Sequence, residues 1–247
     1  MKRTVAILIS LIALAARAQS VDKLVAQGDA LDAQLKSEDA LKIYLQAEPL
    51  AKNDPSLLIK IGKQYGESMT SITNETAKRA AGEKALAYAQ RALNLSPGMA
   101  DAHLAVAICY GRLLDLVPVR TRVEYSRLVK QETEQALKLD PKSDYAWHML
   151  GRWNKAVATM GGFYKGIVTI VYGGLPDASL EKARECFEKA DALHPGRVSN
   201  VIELGITLAA SGKKEEARKL IEQGLALPSR ERDDPQTKIR GRTALAE

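Results

Sequence analysis

The chain has 247 residues, of which 46% are hydrophobic and 27% are charged, a balance that excludes an intrinsically disordered protein. Aromatic residues make up only 5%, which favours close-packed helices rich in Ala and Leu over a β-sandwich. The formal net charge is +6, but lysines and arginines alternate with acids as on solvated helix faces, so we expect no nucleic-acid partner.

The first eighteen residues predict a secretory signal peptide. Lys2 and Arg3 precede an apolar run from Val5 to Ala16, and Ala16-Arg17-Ala18 has the small-x-small pattern of a cleavage site. We therefore expect cleavage after Ala18, a periplasmic or secreted protein, and no transmembrane span in the mature chain. The apolar run is shorter than the ~20 residues of a membrane-spanning helix, so an uncleaved anchor is the less favoured alternative.

Small residues recur along the rest of the chain in a fixed pattern. Five sets of three residues share a spacing of four and then three positions. A proline closes each set, although Pro55 follows the first set at a greater distance than in the others. The sets are Ala40/Tyr44/Ala47, Ala85/Ala89/Ala92, Val129/Thr133/Ala136, Ala183/Phe187/Ala190 and Ala217/Ile221/Gly224. A small residue also lies upstream of each set, at Gly28, Gly62, Ala107, Gly151 and Gly205. Such positions allow two helices to touch closely.

This pattern resembles the tetratricopeptide repeat, a pair of antiparallel helices in about 34 residues. The resemblance implies an all-α solenoid of five helix pairs over residues 19–247, with units near 21–55, 56–97, 98–141, 142–195 and 196–228. A stack needs a polar-backed end, so we expect a capping helix within 229–247, starting near Pro235 with Ile239 and Leu245 facing inward.

Three of the units are longer than usual. The closing prolines at 55, 97, 141, 195 and 228 are 42, 44, 54 and 33 residues apart. The extra residues fall between the first and second helix of a pair. We expect them to lengthen helices or to form an excursion at one edge of the stack.

The largest excess contains the apolar stretch GGFYKGIVTIVYGGLP at residues 161–176. A lone strand in a helical stack would leave its backbone groups unpaired, and Lys165 interrupts a run already too short to span a membrane. We expect a short helix near Phe163 to Tyr172. It either packs against its own unit or forms a lipid-contacting flap over a groove, with the flap residues Phe163, Tyr164, Ile167, Ile170 and Tyr172.

First helices line the concave face of such stacks. The repeat positions on that face predict a ligand groove formed by Lys63, Arg112, Tyr145, His148, Arg152 and Lys155, with Ile202 and Ile206 from the last unit. Positive and aromatic groups beside an apolar wall suit an acidic peptide, a chain terminus or an anionic lipid headgroup. The alternative is that these are ordinary solvated side chains.

Motifs for catalysis are missing from the sequence. His103, His148 and His194 fall in separate helical segments without metal-ligand spacing, and there is no glycine-rich phosphate loop. We therefore predict a protein that is not an enzyme and needs no cofactor or metal. Cys109 and Cys186 are expected to be two buried free thiols.

The stretches AICYGRLL, EQALKLDPKS and WHMLGRWNKAVATM, together with the LP turn before EKA, resemble the regulator of microtubule dynamics family, most specifically over residues 103–228. The resemblance implies association with microtubules or membrane contact sites and, in one branch, phospholipid binding. Two functions remain open: an exported interaction scaffold for a protein or peptide partner, and a carrier of lipid or another small anionic ligand that uses the groove and the 161–176 flap.

Overall fold

The computed structural model describes residues 19–246, apart from the side chains of Val171 and Tyr172, so the predicted signal peptide and the Tyr172 flap side chain lie outside the described residues. Within 19–246 there are twelve α-helices and no strand, which confirms the all-α prediction. The helices are α1 (19–32), α2 (Ser37–Ala47), α3 (Pro55–Ser68), α4 (Glu75–Leu95), α5 (Ala100–Leu113), α6 (Val119–Leu139), α7 (Asp144–Ala158), α8 (Gly162–Tyr172), α9 (Leu180–Leu193), α10 (Val198–Ala210), α11 (Lys214–Ala226) and α12 (Asp234–Ala246).

Side-chain caps fix where several of these helices begin. Asp54 accepts hydrogen bonds from the first N–H groups of α3, directly before Pro55 at the first helical position. Asn74, Ser143 and Ser179 cap α4, α7 and α9 in the same way. These polar residues satisfy backbone donors that an uncapped helix would leave without partners.

The helices pack as five pairs, α1/α2, α3/α4, α5/α6, α7/α9 and α10/α11, and α12 covers α10 and α11 at the end of the stack. The recurring small residues lie between the paired helices, as predicted. A Cβ added to Gly205 would lie 2.6 Å from the Ile221 side chain and 3.2 Å from the Ala217 carbonyl oxygen. At Gly151 it would lie 2.9 Å from the ring of Phe187. These contacts explain why only tiny side chains fit there.

Longer second helices account for the excess in the second and third pairs. Ala85 lies ten residues after the first residue of α4, whereas Ala217 lies three after the first residue of α11. Helix α4 is therefore seven residues longer on its N-terminal side, which is about two turns. Helix α6 has the same seven-residue extension, measured from Val119 to Val129.

The apolar stretch at 161–176 forms the predicted helix. Helix α8 follows Gly161 and stops at Gly173, whose φ of +74° is the left-handed conformation that glycine adopts most easily. It packs on α6, which belongs to the third pair. The expectation that α8 packs against its own unit, the fourth, is therefore wrong. Val168 is buried, while Phe163 and Ile170 are 74% and 83% exposed.

The capping helix α12 begins at Asp234, one residue before the predicted start. Gly241 faces the core, where an added Cβ would lie 3.2 Å from both Ile202 and Ile221. Ile239 is 48% exposed, so its predicted inward orientation is wrong; the buried face of α12 instead carries Thr237 and Gly241.

Of the twelve helices described, none has both the length and the apolar content needed to cross a bilayer.

Candidate functional site

The chain connecting α11 to α12 crosses the face that the first helices form. We call residues 229–234 the C-terminal segment. Its Arg232 donates hydrogen bonds to the Leu35 carbonyl oxygen at 2.7 Å and to the Ser71 hydroxyl at 2.7 Å. Leu35 follows α1 and Ser71 follows α3. A single side chain near the end of the sequence thus binds the first two helix pairs.

The carboxylates on either side of Arg232 bind the other three pairs. Asp233 pairs with Arg112 near the end of α5 at 2.7 Å. Glu231 accepts a hydrogen bond from the Tyr145 hydroxyl at the start of α7 at 2.8 Å and lies 2.9 Å from Arg197 Nε, which precedes α10. The segment therefore reaches a first helix, or a residue next to one, in every pair. It contacts two of the six side chains predicted to form the groove, Arg112 and Tyr145.

Asp234 fixes the shape of the C-terminal segment. Its Oδ2 accepts hydrogen bonds from the backbone N–H groups of Arg230 and Glu231, at 2.7 and 2.8 Å. The side chain is buried and also begins α12, where a negative charge interacts favourably with the helix dipole. This internal turn holds Glu231, Arg232 and Asp233 in the orientation that meets their partners.

Arg197 is the buried cation of the site. Its guanidinium pairs with Asp144 and Glu231 and lies 3.6 Å from the centre of the Tyr145 ring. Burial and the charge of Glu231 raise the pKa of the Tyr145 hydroxyl, so it remains a hydrogen-bond donor at neutral pH. Together these groups form a pocket for one carboxylate, which Glu231 fills.

A second charged cluster lies under the groove around Glu203 of α10. The Glu203 carboxylate is almost fully buried and pairs with Lys155 of α7 and, at 2.9 Å, with Arg240 of α12. Burial alone would raise the pKa of Glu203, but the charges of Lys155, Arg152 and Arg240 outweigh it and lower the pKa to about 2. Glu203 therefore joins the fourth pair, the fifth pair and the cap as a permanent anion.

His148 is a buried neutral side chain and not an exposed groove ligand. Its Nδ1 lies 2.8 Å from the side-chain amide oxygen Oδ1 of Asn200, and its ring meets Phe187 edge-on at 5.4 Å between ring centres. Burial, reinforced by the charge of Arg152, lowers the pKa of His148 to about 3. The prediction that it faces a ligand is therefore wrong, because its position is inside the interface between α7, α9 and α10.

The remaining predicted groove residues differ in their partners. Lys63 pairs with Asp32 at 2.6 Å and with Glu67 at 3.5 Å. Arg152 is exposed, and its charge acts on Glu203 and His148. Arg112 and Tyr145 are brought together by the C-terminal segment, whereas Lys155 belongs to the Glu203 cluster.

The sequence reasoning missed the acids that partner these cations. Glu203 carried a usable signal, because it stands in the apolar run VIELGI on a first helix, where a carboxylate needs a buried partner. Glu231 and Asp233 carried none, since they lie in a short polar connection outside the repeat pattern. Arg197 and Arg240 likewise sit at positions that the repeat leaves unspecified.

Other reactive side chains have structural partners. Within residues 19–246, no three His, Cys, Asp or Glu side chains converge as a metal site would require. His103 bridges Glu132 at 2.6 Å and the Pro97 carbonyl oxygen at 2.9 Å.

Cys109 and Cys186 are free and buried, as predicted, and burial raises the pKa of their thiols to about 12 and about 11. Such thiols are poor nucleophiles.

Comparison with known proteins matches residues 20–247 to the family described as "Regulator of microtubule dynamics protein 1-3". The chain is 26% identical to regulator of microtubule dynamics protein 1 of Mus musculus over 218 residues, covering 87% of this chain and 71% of that protein. It is also 26% identical to the Bos taurus protein of that name over 229 residues, covering 92% and 71% of the two chains.

Solved structures share the fold. A thermophilic tetratricopeptide repeat protein from Thermus thermophilus has a TM-score of 0.65 at 15% identity, covering 92% of this chain and all of that one. Pseudomonas aeruginosa pilF has a TM-score of 0.55 at 15% identity, covering 94% and 89%. These likenesses establish a tetratricopeptide-type α-solenoid.

Proposed function

We propose that this protein, which belongs to the regulator of microtubule dynamics protein 1-3 family, is a non-enzymatic interaction scaffold that binds a protein or peptide segment in its concave groove. The observation that carries the proposal is the C-terminal segment. A short turn of polypeptide already lies across the first helices, held by side chains of this face. This contact supports the proposal that the face binds a short polypeptide segment.

The chemistry of the groove supports a polypeptide partner over a reaction. Its polar groups are arginine and tyrosine donors and backbone carbonyl oxygens, which recognise carboxylates and side-chain donors of a peptide. Its buried ionisable groups, Glu203 and His148, are held in one protonation state near neutral pH. A general acid or base would need a pKa near the working pH.

Site-specific photocrosslinking tests the scaffold proposal. A photoreactive residue is placed at the exposed groove position Arg152, and the matched control carries it at the exposed position Glu222 on the outer helix α11. In cells of the source organism we expect one discrete crosslinked protein from position 152 and not from position 222. The same pattern of crosslinks from both positions, or none from either, would contradict the proposal.

The choice of position 152 avoids a problem with Lys155. Reversing the charge of Arg152 and Lys155 together, the test that the sequence suggests, would place a new carboxylate beside the buried Glu203. Two adjacent buried carboxylates destabilise the fold, so lost binding would not report on the groove. Arg152→Glu alone changes the exposed rim and is the variant that tests partner capture.

A second candidate function is contact with an anionic lipid surface through α8. The observation that favours it is the exposure of Phe163, Ile170 and Leu175 around a helix that carries Lys165 and no acid. In flotation with vesicles containing anionic lipid, we expect the protein to float and Phe163→Ser/Ile170→Ser to remain at the bottom. Equal flotation of the two proteins would reject the lipid function.

We also propose export with cleavage after Ala18, as the N-terminal sequence pattern predicts. N-terminal sequencing of the protein purified from its source is expected to begin at Gln19. A protein that retains Met1 in the soluble cell interior would contradict export.

A further inference from the structure

The C-terminal segment is held in the groove almost entirely by polar contacts. Ser229 and Arg230 are exposed, and Glu231, Arg232 and Asp233 are each partly exposed. The side chain of Asp233 is 48% exposed and that of its partner Arg112 24%. An ion pair with this much solvent contact contributes about 0–1 kcal/mol. Glu231 pairs with the buried Arg197, which keeps Asp144 as a second partner when Glu231 leaves. The segment therefore binds its site without the apolar burial that would make it a permanent part of the core.

Its two ends are anchored independently. Helix α11 belongs to the fifth pair, where Ile221 packs against Gly205. Helix α12 is held by Gly241 against Ile202 and by Arg240 on Glu203. The side chains of Glu231, Arg232 and Asp233 can consequently leave the groove while both flanking helices stay in place and Asp234 still holds the turn. A stretch held in this way can be displaced by a competing ligand without unfolding the stack.

The groove beneath the segment has a defined pattern of donors. Arg112 faces one carboxylate, while Tyr145 and Arg197 face another two residues earlier in the chain. Between them, the Leu35 carbonyl oxygen and the Ser71 hydroxyl accept from a cationic side chain. Without the segment these groups would present unpaired donors and acceptors toward the groove. They match an acid-cation-acid tripeptide in the turn conformation of residues 231–234.

We infer that the partner of this groove is a polypeptide segment with the pattern acid-cation-acid, and that it binds by displacing residues 229–233. This inference rests on the proposed scaffold function and specifies its partner class and its regulation. The protein's own segment acts as a tethered competitor with an effective concentration on the order of millimolar. Only a segment that binds more tightly, or is presented at high local concentration, gains the groove.

The experiment uses the full chain and a synthetic peptide with the sequence of residues 228–236, PSRERDDPQ, labelled with a fluorophore. Wild-type protein is compared with Glu231→Ala/Asp233→Ala, which removes the two carboxylates of the tethered copy. The matched control, Glu216→Ala/Glu222→Ala, makes the same charge change at exposed positions of α11. A second peptide, PSRQRNDPQ, lacks the two carboxylates that contact the groove.

We expect the Glu231→Ala/Asp233→Ala protein to bind PSRERDDPQ about tenfold or more tightly than the wild-type and control proteins do, because the tethered competitor is gone. Hydrogen exchange of residues 229–233 should rise in the same variant. The PSRQRNDPQ peptide should show no such gain, and adding Arg112→Glu should abolish it. If the alanine pair lowers the melting temperature, Glu231→Gln/Asp233→Asn replaces it with the same expectation.

Equal binding of PSRERDDPQ by the three proteins, equal binding of both peptides, or unchanged exchange of residues 229–233 would each overturn the inference. These outcomes are separate from failure of the scaffold proposal. Crosslinking from position 152 requires no acidic probe. A retained crosslink with no gain in peptide binding would reject the acid-cation-acid partner alone, whereas a missing crosslink would reject the scaffold itself.

Discussion

Besides the capping helix α12, the C-terminal segment and helix α8 lie outside the five helix pairs, and these two are attached in opposite ways. The C-terminal segment is polar and contacts every pair through hydrogen bonds and ion pairs. Helix α8 is apolar and packs on α6 alone among its main neighbours, with Phe163 and Ile170 facing solvent. Hydrophobicity by itself therefore does not tell which added element is integrated into the fold; the number and complementarity of its partners does.

The difference has a physical cause. Apolar residues gain little unless a complementary surface covers them, and among the α8 side chains that the structure describes Val168 alone is buried. Polar residues are directional, so the C-terminal segment is held only where the first helices place the matching groups. The following predictions test this contrast, from the largest expected effect to the smallest.

Glu203→Ala should weaken the attachment of the C-terminal region most. It leaves Lys155 and Arg240 without their shared buried carboxylate, so we expect the free energy of unfolding to fall by about 3–5 kcal/mol. Urea denaturation followed by circular dichroism measures the change. The exposed control Glu222→Ala should change stability by no more than about 0.5 kcal/mol. Similar losses in both variants would show that the cluster does not fasten the cap.

Acid should lower the free energy of unfolding of the stack through His148, while the packing of α8 on α6 should not change. Below pH 6.5 an unfolded histidine takes up a proton that the buried His148, with a pKa of about 3, does not. Stability is therefore fully present above pH 6.5 and falls by about 1.4 kcal/mol per pH unit between pH 6.5 and 4.5.

His148→Gln should remove that slope. Glu203, whose pKa is lowered to about 2, contributes only below its unfolded value of 4.5, so it does not obscure the window. Urea denaturation of both proteins at pH 7, 6 and 5 makes the comparison. Parallel curves for wild type and variant would mean that His148 is not excluded from protonation.

Asp234→Ala should loosen the C-terminal segment locally. It removes the acceptor of two backbone N–H groups and the anion at the start of α12, which costs about 1–3 kcal/mol. Amide exchange at Arg230 and Glu231 should accelerate, with exchange in α3 and α5 unchanged. Asp234→Asn retains an acceptor and should give an intermediate effect. Unaltered exchange at both amides would contradict the turn's role.

The smallest effects are expected at α8. Val168→Ala removes two buried carbons and should destabilise the attachment of α8 by about 1–2 kcal/mol, seen as faster exchange in α8 alone. Phe163→Ser/Ile170→Ser alters exposed side chains and should leave the free energy of unfolding within about 0.5 kcal/mol of wild type. A larger loss from the exposed pair would mean that those side chains are covered by part of the fold.

The sequence was sufficient for the repeat architecture and insufficient for the site. Gly151 and Gly205 lie where helices must touch, so steric exclusion leaves a periodic trace in the sequence. Arg112 and Asp233 are 121 residues apart, and their pairing depends on the curvature of the whole stack. Repeat spacing placed Arg112 and Tyr145 on one face, where both contact the C-terminal segment. Their acidic partners could not be predicted, because the curvature that brings them together leaves no local pattern in the sequence.

The bond from Arg232 to Leu35 also changes how the molecule must come apart. A linear array of repeats makes contacts only between neighbours and frays from either end. Here Arg232 is bonded to a loop 197 positions earlier, which links the fifth pair to the first. Fraying of the first pair must break this bond as well, so a ligand that displaces residues 229–233 should also make α1 and α2 easier to unfold.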